Sequence, residues 1–124
     1  MKIDPLDVLC SEYIRKKALQ RVGGCERCLT QKASWKELQW CHFIGRRNKH
    51  VRWDEFNSYG LCGACHMYLH SHPLEWVALV TRIIGEEGFD LLQARMRQTG
   101  KIDREAIRLY LQEEIKKLEK GEMQ

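Results

Sequence analysis

The chain has 124 residues, of which 44% are hydrophobic and 31% charged, with a formal net charge of +4. That length fits one domain, residues 1–124, with a core modest enough to want a structural metal as a staple. No apolar run approaches the roughly 20 residues of a membrane span, and Met1-Lys2-Ile3-Asp4-Pro5 lacks the apolar stretch and cleavage site of a secretion signal, so a cytosolic protein is expected.

Asp4-Pro5 reads as an N-cap followed by proline at the first helical position. Leu6, Leu9, Cys10, Tyr13 and Ile14 recur at helical spacing, and the helix is expected to run to about Gln20 and stop at Gly23-Gly24. Its other face carries Arg15, Lys16 and Lys17. Residues 1–22 thus form an N-terminal helix. Residues 23–72 form the next unit, a turn-rich knuckle, then a strand over Leu38–Phe43 and a basic loop over Gly45–Arg52. A second strand over Ser58–Leu61 follows, and a helix formed by His66 that ends near Ser71. Residues 73–121 are expected to be helical. His72-Pro73 opens an apolar and therefore buried helix (Leu74, Val77, Leu79, Val80, Ile83, Ile84). Gly85 and Gly88 break it, and a further short helix carries Phe89, Leu91, Leu92 and Met96 until Thr99-Gly100. Asp103 caps a last helix with Ile107, Tyr110, Leu111, Ile115 and Leu118 on one stripe. That stripe is long for a small domain and suggests a possible homodimer face.

Two CxxC pairs, Cys25-Glu26-Arg27-Cys28 and Cys62-Gly63-Ala64-Cys65, dominate the sequence. Thiolates two residues apart can both reach one tetrahedral ion, and two such pairs complete a four-cysteine structural zinc site with no open position for catalysis. The 33 residues between Cys28 and Cys62 exceed the usual interval, so the knot must pin the ends of an inserted unit. Buried thiols or disulfides are the alternatives.

His66 and His70 stand four apart on a predicted helix, which puts both imidazoles on one face as candidate ligands for a divalent ion. Cys41, beside His42 at the end of a strand, is the third candidate. A Cys/His/His set is soft to borderline, which suits zinc, nickel or cobalt better than magnesium.

His42, Asn57, His66 and His70 are separated by 15, nine and four residues. In that order and spacing they resemble the HNH, or ββα-metal, endonucleases, colicin-type enzymes included. The run from Cys41 to Arg47, the Arg52–Asn57 segment and the second CxxC are similar to the NinG-type (Rap) recombination nucleases of lambdoid phages, over about residues 25–100. The resemblance implies an α+β fold, mainly helical, with a zinc-knotted ββα-metal core and flanking helices. It implies metal-dependent hydrolysis of DNA phosphodiesters in phage recombination or DNA processing, with branched DNA among the candidate substrates, leaving 5′-phosphate and 3′-hydroxyl ends. It makes His42 the general base and Asn57 the residue that holds the His42 ring or its loop. Cys41, His66 and His70 would hold the catalytic ion, although Cys41 and His66 depart from the residues such relatives tend to carry.

Arg46, Arg47, Lys49 and Arg52 lie in the loop between the two strands, where they would grip DNA phosphates. A solvated charged loop is the plainer reading. His50 is expected to face phosphate or solvent and His72 to be structural. Trp53 is the one tryptophan considered for base stacking. The rival functions are a zinc-knuckle DNA-binding protein without catalysis and a protein-interaction adaptor.

Overall fold

The computed structural model describes residues 2–121. Helix α1 spans Pro5–Val22. The Asp4 carboxylate accepts the Leu6 N–H at 2.9 Å, and Pro5 sits in the first turn, where its missing N–H costs nothing. The helix stops at Gly23, whose φ of 76° is left-handed, a conformation that glycine adopts without a Cβ clash. Start and stop are those expected, two residues beyond Gln20.

The first cysteine pair follows in a tight knuckle closed by a bridge between Gly24 and Gln31. Leu29, just past Cys28, is held at a φ of 62°, which is uncommon outside glycine. A short 3-10 turn, Trp35–Glu37, leads into strand β1, Gln39–His42. After the loop of residues 43–57 comes strand β2, Ser58–Leu61. The strands pair antiparallel, with Gln39 opposite Leu61 and His42 opposite Ser58. Helix α2, Gly63–His70, begins one residue later. The expected order of strand, basic loop, strand and helix is present.

Glu26, between the first two cysteines, ties the knuckle to the free edge of β2. Its N–H donates to the Gly60 carbonyl at 3.0 Å, and its carboxylate accepts the Gly60 N–H at 3.0 Å. Burial raises its pKa, which the Arg21 partner only partly offsets. Gly60 is also where α1 lies flat on the hairpin: a Cβ there would stand 2.6 Å from the Ala18 Cβ.

Helix α3 covers Pro73–Met96 and differs from expectation. Gly85 breaks it, at φ 75° and ψ 172°, but the helix resumes at once and passes through Gly88. It ends at Met96, before Thr99-Gly100. Nor is its apolar sequence uniformly buried. Trp76, Leu79, Val80 and Leu92 pack inward, whereas Leu74 is 83% exposed. Hydrophobic content overstates burial here because α3 has neighbours on one side only.

Helix α4, Arg104–Glu119, starts at Asp103, whose carboxylate accepts the Ala106 N–H. Its stripe of Leu111, Ile115 and Leu118 packs with Leu6, Cys10, Tyr13 and Ile14 of α1. Those three side chains are covered by the chain's own first helix, while Tyr110 of the same predicted stripe remains 47% exposed. A second cluster joins Cys41, Tyr59, Leu61, Leu69, Trp76, Leu79, Val80 and Leu92 between the hairpin, α2 and α3. Among the described residues no helix is long and apolar enough to cross a membrane.

The close approach of α1 and β2 predicts that Gly60→Ala lowers stability by about 1–3 kcal/mol through overpacking. Adding Ala18→Gly should restore part of the loss, as read by urea denaturation.

Candidate metal centre and nuclease site

The Sγ atoms of Cys25, Cys28, Cys62 and Cys65 all lie within 4.8 Å of one another. Cys28 and Cys62 are 3.8 Å apart. Four sulfurs at about 2.3 Å from a zinc ion form a tetrahedron with edges of about 3.8 Å, so the set fits a structural ion of that kind. The local folding explains the convergence. The first pair rides on the knuckle, and Leu29 N–H closes it on the Cys25 carbonyl at 2.9 Å. Cys62 is the N-cap of α2, and its sulfur accepts the Cys65 N–H at 3.5 Å.

Charge around the sulfurs favours thiolate in places. The Thr30 hydroxyl, 3.1 Å from Cys28, pulls that thiol well below its ordinary pKa. Burial pushes the Cys65 thiol up, although Arg27 donates to it at 3.4 Å. An ion binding here must displace the remaining protons. Arg27 also stacks on Tyr68, 4.2 Å from the ring centre, which locks the guanidinium beside the sulfurs.

The second expected ligand set is not assembled. Among the described residues, the four cysteines are the one group of three or more His, Cys, Asp or Glu side chains placed to hold an ion. Cys41 points from β1 into the core, 1% exposed, and its thiol donates to the Gln39 carbonyl. Burial pushes its pKa far up, so thiolate is disfavoured. His66 is turned to Gln39, with Nδ1 2.7 Å from Oε1. His70 is exposed in the last turn of α2. The structure does not bring Cys41, His66 and His70 together as expected: strand alternation sends Cys41 inward while both histidines sit at the rim.

His42 lies at the opposite end of β1 from Gln39, three residues or about 10 Å away. It faces the α1 side of the hairpin, half-buried, with its ring 4.2 Å from that of Trp40. Its Nε2 is 2.9 Å from the Arg52 carbonyl. A carbonyl only accepts, so Nε2 carries the proton and the neutral ring keeps its lone pair on Nδ1. Burial holds the His42 pKa below its usual value, which favours that neutral form.

The Asn57 side chain hydrogen-bonds the loop, not the His42 ring. Fully buried, it accepts the Ile44 N–H at 2.7 Å and donates to the Ile44 and Val51 carbonyls at 2.9 and 3.0 Å. Its amide thus replaces backbone partners that the loop ends would otherwise lack. Of the two alternatives, ring or loop, the loop is the one present.

The basic loop divides in two. Arg47 and Lys49 are exposed. Arg52 instead turns to Asp7 of α1, its Nε 3.0 Å from Oδ1 and its Nη2 2.5 Å from Oδ2. Arg46 reaches the same Oδ2 at 2.8 Å while remaining 56% exposed. Trp53 is buried, and its indole N–H donates to Asp7 Oδ1 at 2.8 Å, so it offers no stacking face. His50 faces neither phosphate nor solvent through Nε2, which is buried without a partner. His72 is structural, its Nδ1 2.6 Å from the Tyr68 carbonyl. Asp7 and Glu26 escaped sequence reasoning because single acids in a first helical turn or between cysteines look like ordinary surface charges. The one clue to Asp7 was a run of arginines in need of a counter-ion.

Comparisons with protein-family models, with curated proteins and with solved structures found no match.

Elemental analysis is expected to find one metal ion per chain, with a chelator lowering the melting temperature by about 15 °C or more; two ions would mean that Cys41, His66 and His70 regroup. Asn57→Ala should cost about 3–5 kcal/mol, measured by urea unfolding, because three partly or fully buried loop groups lose their partner.

Proposed function

We propose that this protein is a DNA endonuclease of the HNH kind, in which a four-thiolate zinc knot stiffens a strand–loop–strand–helix unit and His42 acts on the phosphodiester. The observation that carries this reading is the state of His42. Its Nε2–H is spent on the Arg52 carbonyl, and no hydrogen bond to Nδ1 is found among the described residues. A neutral imidazole with one fixed N–H and one open lone pair is the form a general base needs.

In the proposed reaction, Nδ1 of His42 takes a proton from water as the oxygen attacks phosphorus. The bond from phosphorus to the 3′ oxygen breaks, and that oxygen takes a proton from solvent. Arg47 and Lys49, exposed on the loop, hold neighbouring phosphates, and Arg46 can turn to the strand from its rim position. Such contacts give affinity without sequence preference and weaken steeply with salt. The zinc would supply rigidity, not chemistry. No step is assigned to a second ion, because Cys41, His66 and His70 do not gather.

That same dispersal favours a second reading, a zinc-knuckle DNA-binding protein without catalysis. Plasmid nicking, followed across Mg, Mn, Co, Ni and Zn on duplex, flap and junction substrates, separates the two. The endonuclease predicts nicking that falls about 100-fold or more in His42→Ala while DNA binding persists. Binding with no cutting under any ion would establish the second reading.

The pH dependence has a definite sign. Burial depresses the His42 pKa below the model-peptide value near 6.5. The base therefore stays neutral, and nicking stays at its plateau, as pH falls to about 6.5. Activity is lost only as pH drops through the lower folded value. The stability that a neutral His42 contributes follows the same course, complete above the unfolded pKa and lost through the folded one.

A further inference from the structure

Asp7 lies on α1, outside the strand–loop–strand–helix unit, yet it is the acceptor on which the catalytic loop converges. Four donors reach its two oxygens: Nε and Nη2 of Arg52, Nη2 of Arg46 and the indole N–H of Trp53. The residue is 6% exposed. Four bonds use every lone-pair direction a carboxylate offers. The Arg52 guanidinium holds its pKa low through hydrogen bonding and charge, against the opposing effect of burial.

Arg52 is what connects this cluster to His42. Its side chain is fixed by two bonds to one carboxylate, a fork that sets orientation as well as position. Its backbone carbonyl accepts the His42 Nε2–H. Trp53, the next residue, is tied to the same carboxylate, so side chains on both sides of the Arg52–Trp53 peptide bond are anchored to α1. The direction of the Arg52 carbonyl, and with it the proton position on His42, follows from that double anchor.

We propose that Asp7 is a positioning residue for the reaction proposed above: through Arg52 and Trp53 it aims the Arg52 carbonyl that keeps the His42 proton on Nε2, making α1 an integral part of the active unit. This rests on the endonuclease reading for its effect on rate, but not for its effect on the imidazole.

The test uses the full metal-loaded chain and two readouts. Nitrogen-resolved NMR of the imidazole reports which nitrogen of His42 is protonated, and plasmid nicking reports rate. In the unaltered protein the Nε2–H tautomer should dominate. Asp7→Asn, which puts an N–H where the arginines donate, should give a mixture of tautomers and lower kcat by about tenfold or more with little change in KM. Asp7→Glu should recover part of both. Because Asp7→Asn can also loosen α1, Arg52→Lys serves as the second variant: it keeps the charge, loses the fork and should mix the tautomers in the same way. Should Asp7→Asn fail to fold, Arg52→Lys decides alone. A His42 that keeps its tautomer in a folded Asp7→Asn or Arg52→Lys protein overturns the proposal. Mixed tautomers in a protein that nicks no DNA would uphold the positioning role and refute the endonuclease reading.

Discussion

Four sulfurs gathered within 4.8 Å of one another are the constraint on which the rest of this structure depends. The hairpin has two strands of four residues, too few to stand alone in water. The thiolate cluster joins the knuckle that precedes β1 to the first turn of α2, which follows β2. It therefore clamps both ends of the hairpin, while Glu26 adds a backbone-like pair along its open edge. A metal ion held there would close a long loop and restrict the unfolded chain, and the stabilisation would fall where the local core is thinnest.

Within that clamp the loop of residues 43–57 has no regular structure, and two side chains replace it. Asn57 ties the loop ends to each other, and Asp7 ties the loop middle to α1. Both are buried polar residues whose hydrogen bonds are satisfied, and such groups fix a conformation more than they add net stability. The outcome is a rigid basic loop with Arg47 and Lys49 facing out, beside an imidazole whose proton is held in place. Rigidity of this kind suits the proposed reaction, which would need a base presented in one geometry. The same arginines that could meet phosphate thus also build the loop, and Arg46 stands between the two duties.

Much of this was legible in the sequence, for local reasons. The α1 and α4 caps, Asp4 and Asp103, are short-range signals read within three residues, and β2 was marked by its flanking turn and cysteines. The cysteine spacing announced the convergence of the four sulfurs because ligand pairs two residues apart have few other uses. What stayed hidden was long-range. Histidines four apart look like ligands, but only the strand register shows that Cys41 turns inward and His66 meets Gln39. The apolar run of α3 could not tell that one flank, with Leu74, lies open. Asp7 and Arg52 are 45 residues apart, and no spacing rule links them.

X-ray absorption at the zinc edge, on the purified metal-loaded chain, tests the clamp most directly. A single shell of four sulfurs at about 2.3 Å is the expected result. A mixed shell containing imidazole nitrogen would place the ion with His66 or His70 and contradict a four-thiolate clamp on the hairpin.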